Sequence, residues 1–156
     1  MVTNRLGDVL AYTGGFELLA RPTGLLDPDR PNLTRFVLTD PRARTVFPDW
    51  DRVADECVFD LRLGPSVERS AAFLAELAPV AGEELTRRQR RHDLPPRGAQ
   101  RWSHPIVGPL LLDREVLELP AADAQQVVVH LPADDATAAA LTRLRHGGGA
   151  ALRAVP

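Results

Sequence analysis

The stretch Thr39–Glu56, TDPRARTVFPDWDRVADE, decides the fold, because it sets two helix starts back to back. Asp40 ahead of Pro41 reads as an N-cap followed by proline at the first helical position, where its missing N–H costs nothing. Pro48 biases Phe47 away from the helical region, and Asp49 is placed to cap a second helix. The stretch therefore predicts a short helix, a kink and a longer helix.

Downstream, Val53, Cys57 and Leu61 recur at four-residue steps while Asp51, Arg52, Asp55 and Asp60 take the other positions. That is an amphipathic helix, stopped by Gly64 and Pro65. A further helix runs from about Val67 to Ala78, presenting Ala71, Leu74 and Leu77 with Phe73 beside them, and ends at Pro79. Gly82 to His92 is polar with helical propensity and closes at DLPP, residues 93–96.

Upstream, two short apolar pieces flank NRLGD, residues 4–8, a hairpin turn in which Gly7 supplies a positive φ. TGGF, residues 13–16, breaks the second strand. Residues 21–32 form a proline-rich loop whose Asn32 caps a helix from Leu33, closed by Phe36, Val37 and Leu38.

After Arg97 the character changes. QRWSHPIVGPLLLDREVLELP (100–120) and QQVVVHLP (125–132) are rich in β-formers and interrupted by Gly108, Asp113 and Pro120. They read as three or four antiparallel strands. Asp135–Arg145 is a last amphipathic helix, and HGGGAALRAVP, residues 146–156, a frayed tail. The expectation is one α+β domain over residues 1–146, an antiparallel sheet covered by helices on one face, with a flexible tail at 147–156.

Composition sets bounds. A chain of 156 residues suits one domain, and a domain of that size buries roughly 70% of the surface its unfolded chain exposes. A core with an internal cavity is within reach. The net charge of -2 offers no basic stripe for nucleic acid. Every basic residue is Arg and the one Ile is Ile106, a pattern of GC-rich coding. The single Cys57 excludes an intramolecular disulfide and a thiolate cluster, which fits a reducing cytoplasm. No apolar run reaches the roughly 20 residues of a membrane span, and no signal-peptide core opens the chain.

The string LTDPRARTVFPDWDRVADECVFDLR (38–62), then RRQRRHDL (87–94), then HPIVGPLLLDREVLELP and QQVVVHLPA, resembles the MmyB-like ligand-binding domain, the effector half of actinobacterial helix-turn-helix regulators. The resemblance runs from about Val9 to Leu144. It implies a PAS-like fold, an internal pocket for a small apolar ligand of the fatty-acid class, and control of DNA through an N-terminal XRE-type helix-turn-helix. No such segment precedes Val2 in this sequence. Thr13 stands where the family's usual Asn follows the second strand.

Within such a pocket, helix phase and strand alternation place Phe36, Val37, Trp50, Val53, Cys57, Leu61, Leu110, Leu112 and Val128. Trp50 reads equally as a core anchor, given the area an indole buries, and as a pocket wall. RRQRRHDL reads as a solvated helix end suited to the helix dipole, or as the place where Arg91 or His92 meets a ligand carboxylate.

For catalysis, His92 beside Asp93 lacks a nucleophile, and Cys57 lies on a buried helix face where thiols are inert. His92, His104 and His130 have no metal-ligand spacing, and HGGGA is no phosphate loop. A non-enzymatic domain without cofactor or metal is expected. The competing reading is an interaction or dimerisation module with a filled core. A homodimer fits either.

Overall fold

The computed structural model describes residues 1–63, 66–91, 98–119, 125–146 and 152–154. In chain order the elements are β1 (Val2–Asn4), β2 (Val9–Thr13), α1 (Gly14–Ala20), a 3-10 turn (Arg21–Thr23), α2 (Leu33–Thr39), α3 (Arg42–Val46), α4 (Trp50–Arg62), α5 (Val67–Gln89), β3 (Gln100–His104), β4 (Gly108–Leu119), β5 (Gln125–Pro132), α6 (Asp135–Arg145) and β6 (Leu152–Ala154). The six strands form one antiparallel sheet in the order β3-β4-β5-β1-β2-β6. Helices cover one face, which makes the domain α+β and PAS-like.

The hairpin turn forms as its residues require. Gly7 takes φ 91°, and a Cβ there would lie 2.4 Å from the Thr34 hydroxyl oxygen, so both conformation and space demand glycine. Thr13 keeps the next turn: its hydroxyl accepts the Phe16 N–H at 3.2 Å and caps α1, a role that Asn and Thr share. Asn32 caps α2 through the Arg35 N–H at 2.7 Å.

Around FPDW the expected break is present, with two changes. The helix α3 starts at Arg42, one residue later than expected, and Asp40 Oδ1 accepts the Arg42 N–H at 2.9 Å. Asp49 precedes α4 without capping it. Its carboxylate instead binds the Arg101 guanidinium on β3, which holds Asp49 below the usual carboxylate range. The break has a packing purpose. Extended at φ -108° and ψ 97°, Phe47 leaves the helix and enters the core between Phe36 and Trp102, at ring distances of 6.4 and 5.0 Å.

The expected stop at Pro79 lies elsewhere. Pro79 sits inside α5 and the chain turns at Gly82, with φ 53° and ψ -135°. Proline needs no departure from helical φ at its own position, whereas glycine alone adopts Gly82's geometry without penalty. Two apolar clusters result. The main one joins the sheet to α1–α4 through Phe36, Phe47, Trp50, Val53, Trp102 and Leu112. A second lies between α4 and α5 and contains Val58, Leu61, Phe73, Leu77 and Leu85.

Residues 152–154, expected from the sequence to belong to a tail, pair with β2 along Ala11, Tyr12 and Thr13. The free N–H and C=O groups along an edge strand favour such an addition. The helix-stop signals at 64–65 and 93–97, Pro120, and the rest of the tail lie outside the described residues. Among the described residues no helix is long and apolar enough to cross a membrane.

Candidate functional site

The helix α4 crosses the sheet's inner face, anchored through its first turns. Trp50 Nε1 donates to the Val37 carbonyl at 2.7 Å, satisfying one of the acceptors that the end of α2 leaves open. The indole lies between two guanidinium groups, Arg44 at 3.7 Å and Arg88 at 4.7 Å from its ring centre. Arg88 is itself buried. It reaches from α5 to the carboxylates of Asp51, Asp55 and Glu84 and to the Asp51 carbonyl. The two sets of contacts tie this end of α4 to α2 and α5.

One turn further on, α4 stands off the sheet and leaves space. An internal cavity of about 30 Å³ has an apolar side that includes Leu25, Leu33, Phe47, Val53, Cys57 and Trp102. Its polar side includes Thr3, Glu56, Gln100, Arg114, Gln126 and His130. Beyond it a wider cleft of about 540 Å³ is lined by Phe59, Leu63 and Val116 among charged residues. Arg5, Glu56, Asp60, Gln100, Arg114 and Gln126 border both spaces and form a neck between them.

The neck is closed by side chains from four elements and the β1–β2 turn. Gln100 donates to Glu56 at 2.8 Å and Gln126 to Glu118 at 2.9 Å. Arg5 donates to Glu118 at 2.6 Å and lies 3.5 Å from Asp60, which Arg114 approaches to 3.8 Å. The ion pairs among these contacts are partly exposed and individually weak, on the order of 0–1 kcal/mol each. A ligand can part them.

Burial sets the protonation of the groups inside. Desolvation raises the Glu56 carboxyl, against the pull of Arg114 and Arg52. It pushes the Cys57 thiol up to about 12, with Asp60 and Glu56 adding to the effect. That thiol is neutral and inert. Desolvation, then the Arg114 charge, lowers His130 to about 3. His130 keeps some accessible surface despite this loss of water. Its place on the cavity wall explains both.

Of the residues that the sequence placed at the pocket, Val53 and Cys57 line the cavity. Phe36, Val37, Trp50, Leu110, Leu112 and Val128 are buried in the core without bordering it. Leu61 faces away, into the cluster with α5. Arg91 lies on the outside, 59% exposed, and pairs with Asp55 at 3.0 Å. His92 is outside the described residues. The polar lining was missed because each of its members is an ordinary strand or helix residue until the sheet register brings them together. One signal was available. Gln100, Trp102 and His104 alternate inward on β3, and Gln126, Val128 and His130 continue the same face on β5.

The arrangement defines a class first: an α+β domain with a cleft leading to an internal cavity and, among the described residues, no cluster of potential metal ligands. The family model of the MmyB-like transcription regulator ligand binding domain matches residues 1–144, and the chain belongs to that family. It is a family of regulator domains that bind ligands, not one defined by catalysis. No curated protein matches the chain.

Proposed function

We propose that this chain is the sensing half of a transcription regulator, non-catalytic and cytoplasmic, which binds a small molecule with an apolar portion, of the fatty-acid class, between α4 and the sheet. The single observation that carries this reading is the neck, where a ligand-sized cleft meets the internal cavity. Small-molecule sites typically enclose roughly 300–1,000 Å³. The cleft of about 540 Å³ falls in that range, while the cavity of about 30 Å³ holds one water-sized group. Ligand entry therefore displaces α4 from the sheet. A ligand alters an attached DNA-binding domain to the extent that it favours the displaced arrangement.

The test is a titration with decanoate followed by calorimetry, together with mass spectrometry of the denatured protein for a co-purifying lipid. Binding is expected, and Cys57→Leu, which fills the cavity, should weaken it by about tenfold or more, equivalent to roughly 1.4 kcal/mol, with the circular dichroism spectrum unchanged. Unchanged affinity in Cys57→Leu contradicts this placement.

A second reading has its own observation. Leu117 and Leu131 are 55% and 46% exposed, and strand alternation puts both on the sheet face away from the helices. A domain that binds no ligand and dimerises through that face would favour an interaction module.

A further inference from the structure

Arg114 on β4 and His130 on β5 are direct cross-strand partners, both on the inner face and both on the cavity wall. Both are half-buried and present N–H groups to the cavity that no side chain of the described residues takes up. The Arg114 side chain is 20% exposed and its contact with Asp60 at 3.8 Å is too long for a hydrogen bond. Its guanidinium makes no side-chain hydrogen bond among the described residues, although it has five donors to place. The His130 ring packs against Phe16 and Trp102 at 5.7 and 5.6 Å and likewise has no hydrogen-bond partner among the described residues.

Such a pair has a chemical complement. A guanidinium offers a planar fork of N–H donors, and a neutral imidazole offers one N–H beside it. A planar oxyanion satisfies both. Glu56 and Asp60 border the same neck and would repel a dianion such as phosphate more than a singly charged carboxylate. Arg5 is already committed to Glu118 at 2.6 Å, so Arg114 is the cation left for a ligand.

We propose that Arg114 and His130 form the carboxylate anchor of the ligand site, with Asp60 as the internal carboxylate that the ligand displaces from Arg114. The proposal rests on the sensor reading above and adds the chemistry of the ligand's head group. Once bound, the head group sits on the cavity side of the neck, where Cys57 and His130 lie, and the remainder extends through the neck into the cleft along Phe59, Leu63 and Val116. Displacement of Asp60 from Arg114 loosens the direct α4–β4 contact and leaves Arg5 as the bridge between Asp60 and Glu118, which couples recognition of the head group to movement of the helix.

Calorimetry with decanoate and decanol on the wild type, Arg114→Gln and Asp60→Asn tests this. The wild type should bind decanoate about tenfold or more tighter than decanol, the scale of one charged hydrogen-bonded contact. Arg114→Gln should abolish that preference while keeping its affinity for decanol. Asp60→Asn, which removes the competing charge, should bind decanoate severalfold tighter than the wild type. Equal affinities for the two probes in the wild type, or a preference that survives Arg114→Gln, overturns the anchor and leaves the pocket standing. Should Arg114→Gln fail to fold, a decanoate affinity unchanged or lowered in Asp60→Asn overturns it as well. Binding of neither probe overturns the anchor and the sensor reading together.

Discussion

Trp102→Ala is expected to cost the domain about 3–5 kcal/mol of stability, as aromatic-to-alanine changes in a core do. Trp102 is 3% exposed and stands at the centre of the aromatic chain that runs from Phe36 through Phe47 to His130. Its ring meets Phe47 edge-on at 5.0 Å, an arrangement that contributes about 0.5–1.5 kcal/mol beyond buried area. Because Trp102 also walls the cavity, the truncated side chain enlarges an existing space which its neighbours cannot collapse into without moving α4. A typical domain has roughly 5–15 kcal/mol in total, so the variant keeps little in reserve. Urea unfolding measures the loss. A value under about 1 kcal/mol would mean that the sheet and α4 are not joined through this residue.

The second large effect is a loss of stability in mild acid that depends on His130. In the folded state its imidazole is lowered to about 3 from an ordinary 6.5. Between those values the unfolded chain binds a proton that the folded one refuses, so stability falls as pH drops below about 6.5, by roughly 1.4 kcal/mol per unit for this one group. His104, also lowered by desolvation, acts in the same direction. Glu56, raised by burial, acts in the opposite one at lower pH. His130→Phe, which keeps a ring against Phe16 and Trp102 but cannot titrate, isolates the contribution. Its unfolding free energy should be flatter between neutral pH and pH 5, by about 2 kcal/mol over the interval. Parallel curves for the two proteins would place the imidazole in contact with water.

The elements were largely legible in the sequence because the signals are local. Asn32 caps, Gly7 turns, Pro48 extends Phe47, and the four-residue spacing of Val53, Cys57 and Leu61 writes α4, whereas α1 (Gly14–Ala20), capped by Thr13, stands where the sequence reads only a break in the strand. The exceptions are local competitions. Asp49 had an ion-pair partner in Arg101, 52 residues away, that no nearby pattern reveals. The kink falls at Gly82, three residues past Pro79.

The site was less legible, for a physical reason. Helix phase told which residues are buried, and every apolar residue named for the pocket and its surroundings is buried. Burial does not say which buried residue borders a gap. That depends on how far α4 stands from the sheet, a distance fixed by Trp50, Arg88 and the neck. Arg114, His130 and Gln126 come together through the register of β4 and β5, in which Arg114 faces His130 and Glu118 faces Gln126. A strand reading without register cannot supply that pairing.

On the proposed reading the ligand enters between α4 and the sheet. The most direct test is the amide nitrogen–proton correlation spectrum of the domain titrated with decanoate. Shifts are expected to concentrate on Glu56–Asp60 of α4, Arg114–Val116 of β4 and Gln126–His130 of β5. A spectrum that does not change, or shifts confined to the α4–α5 cluster around Leu77 and Leu85, would contradict it.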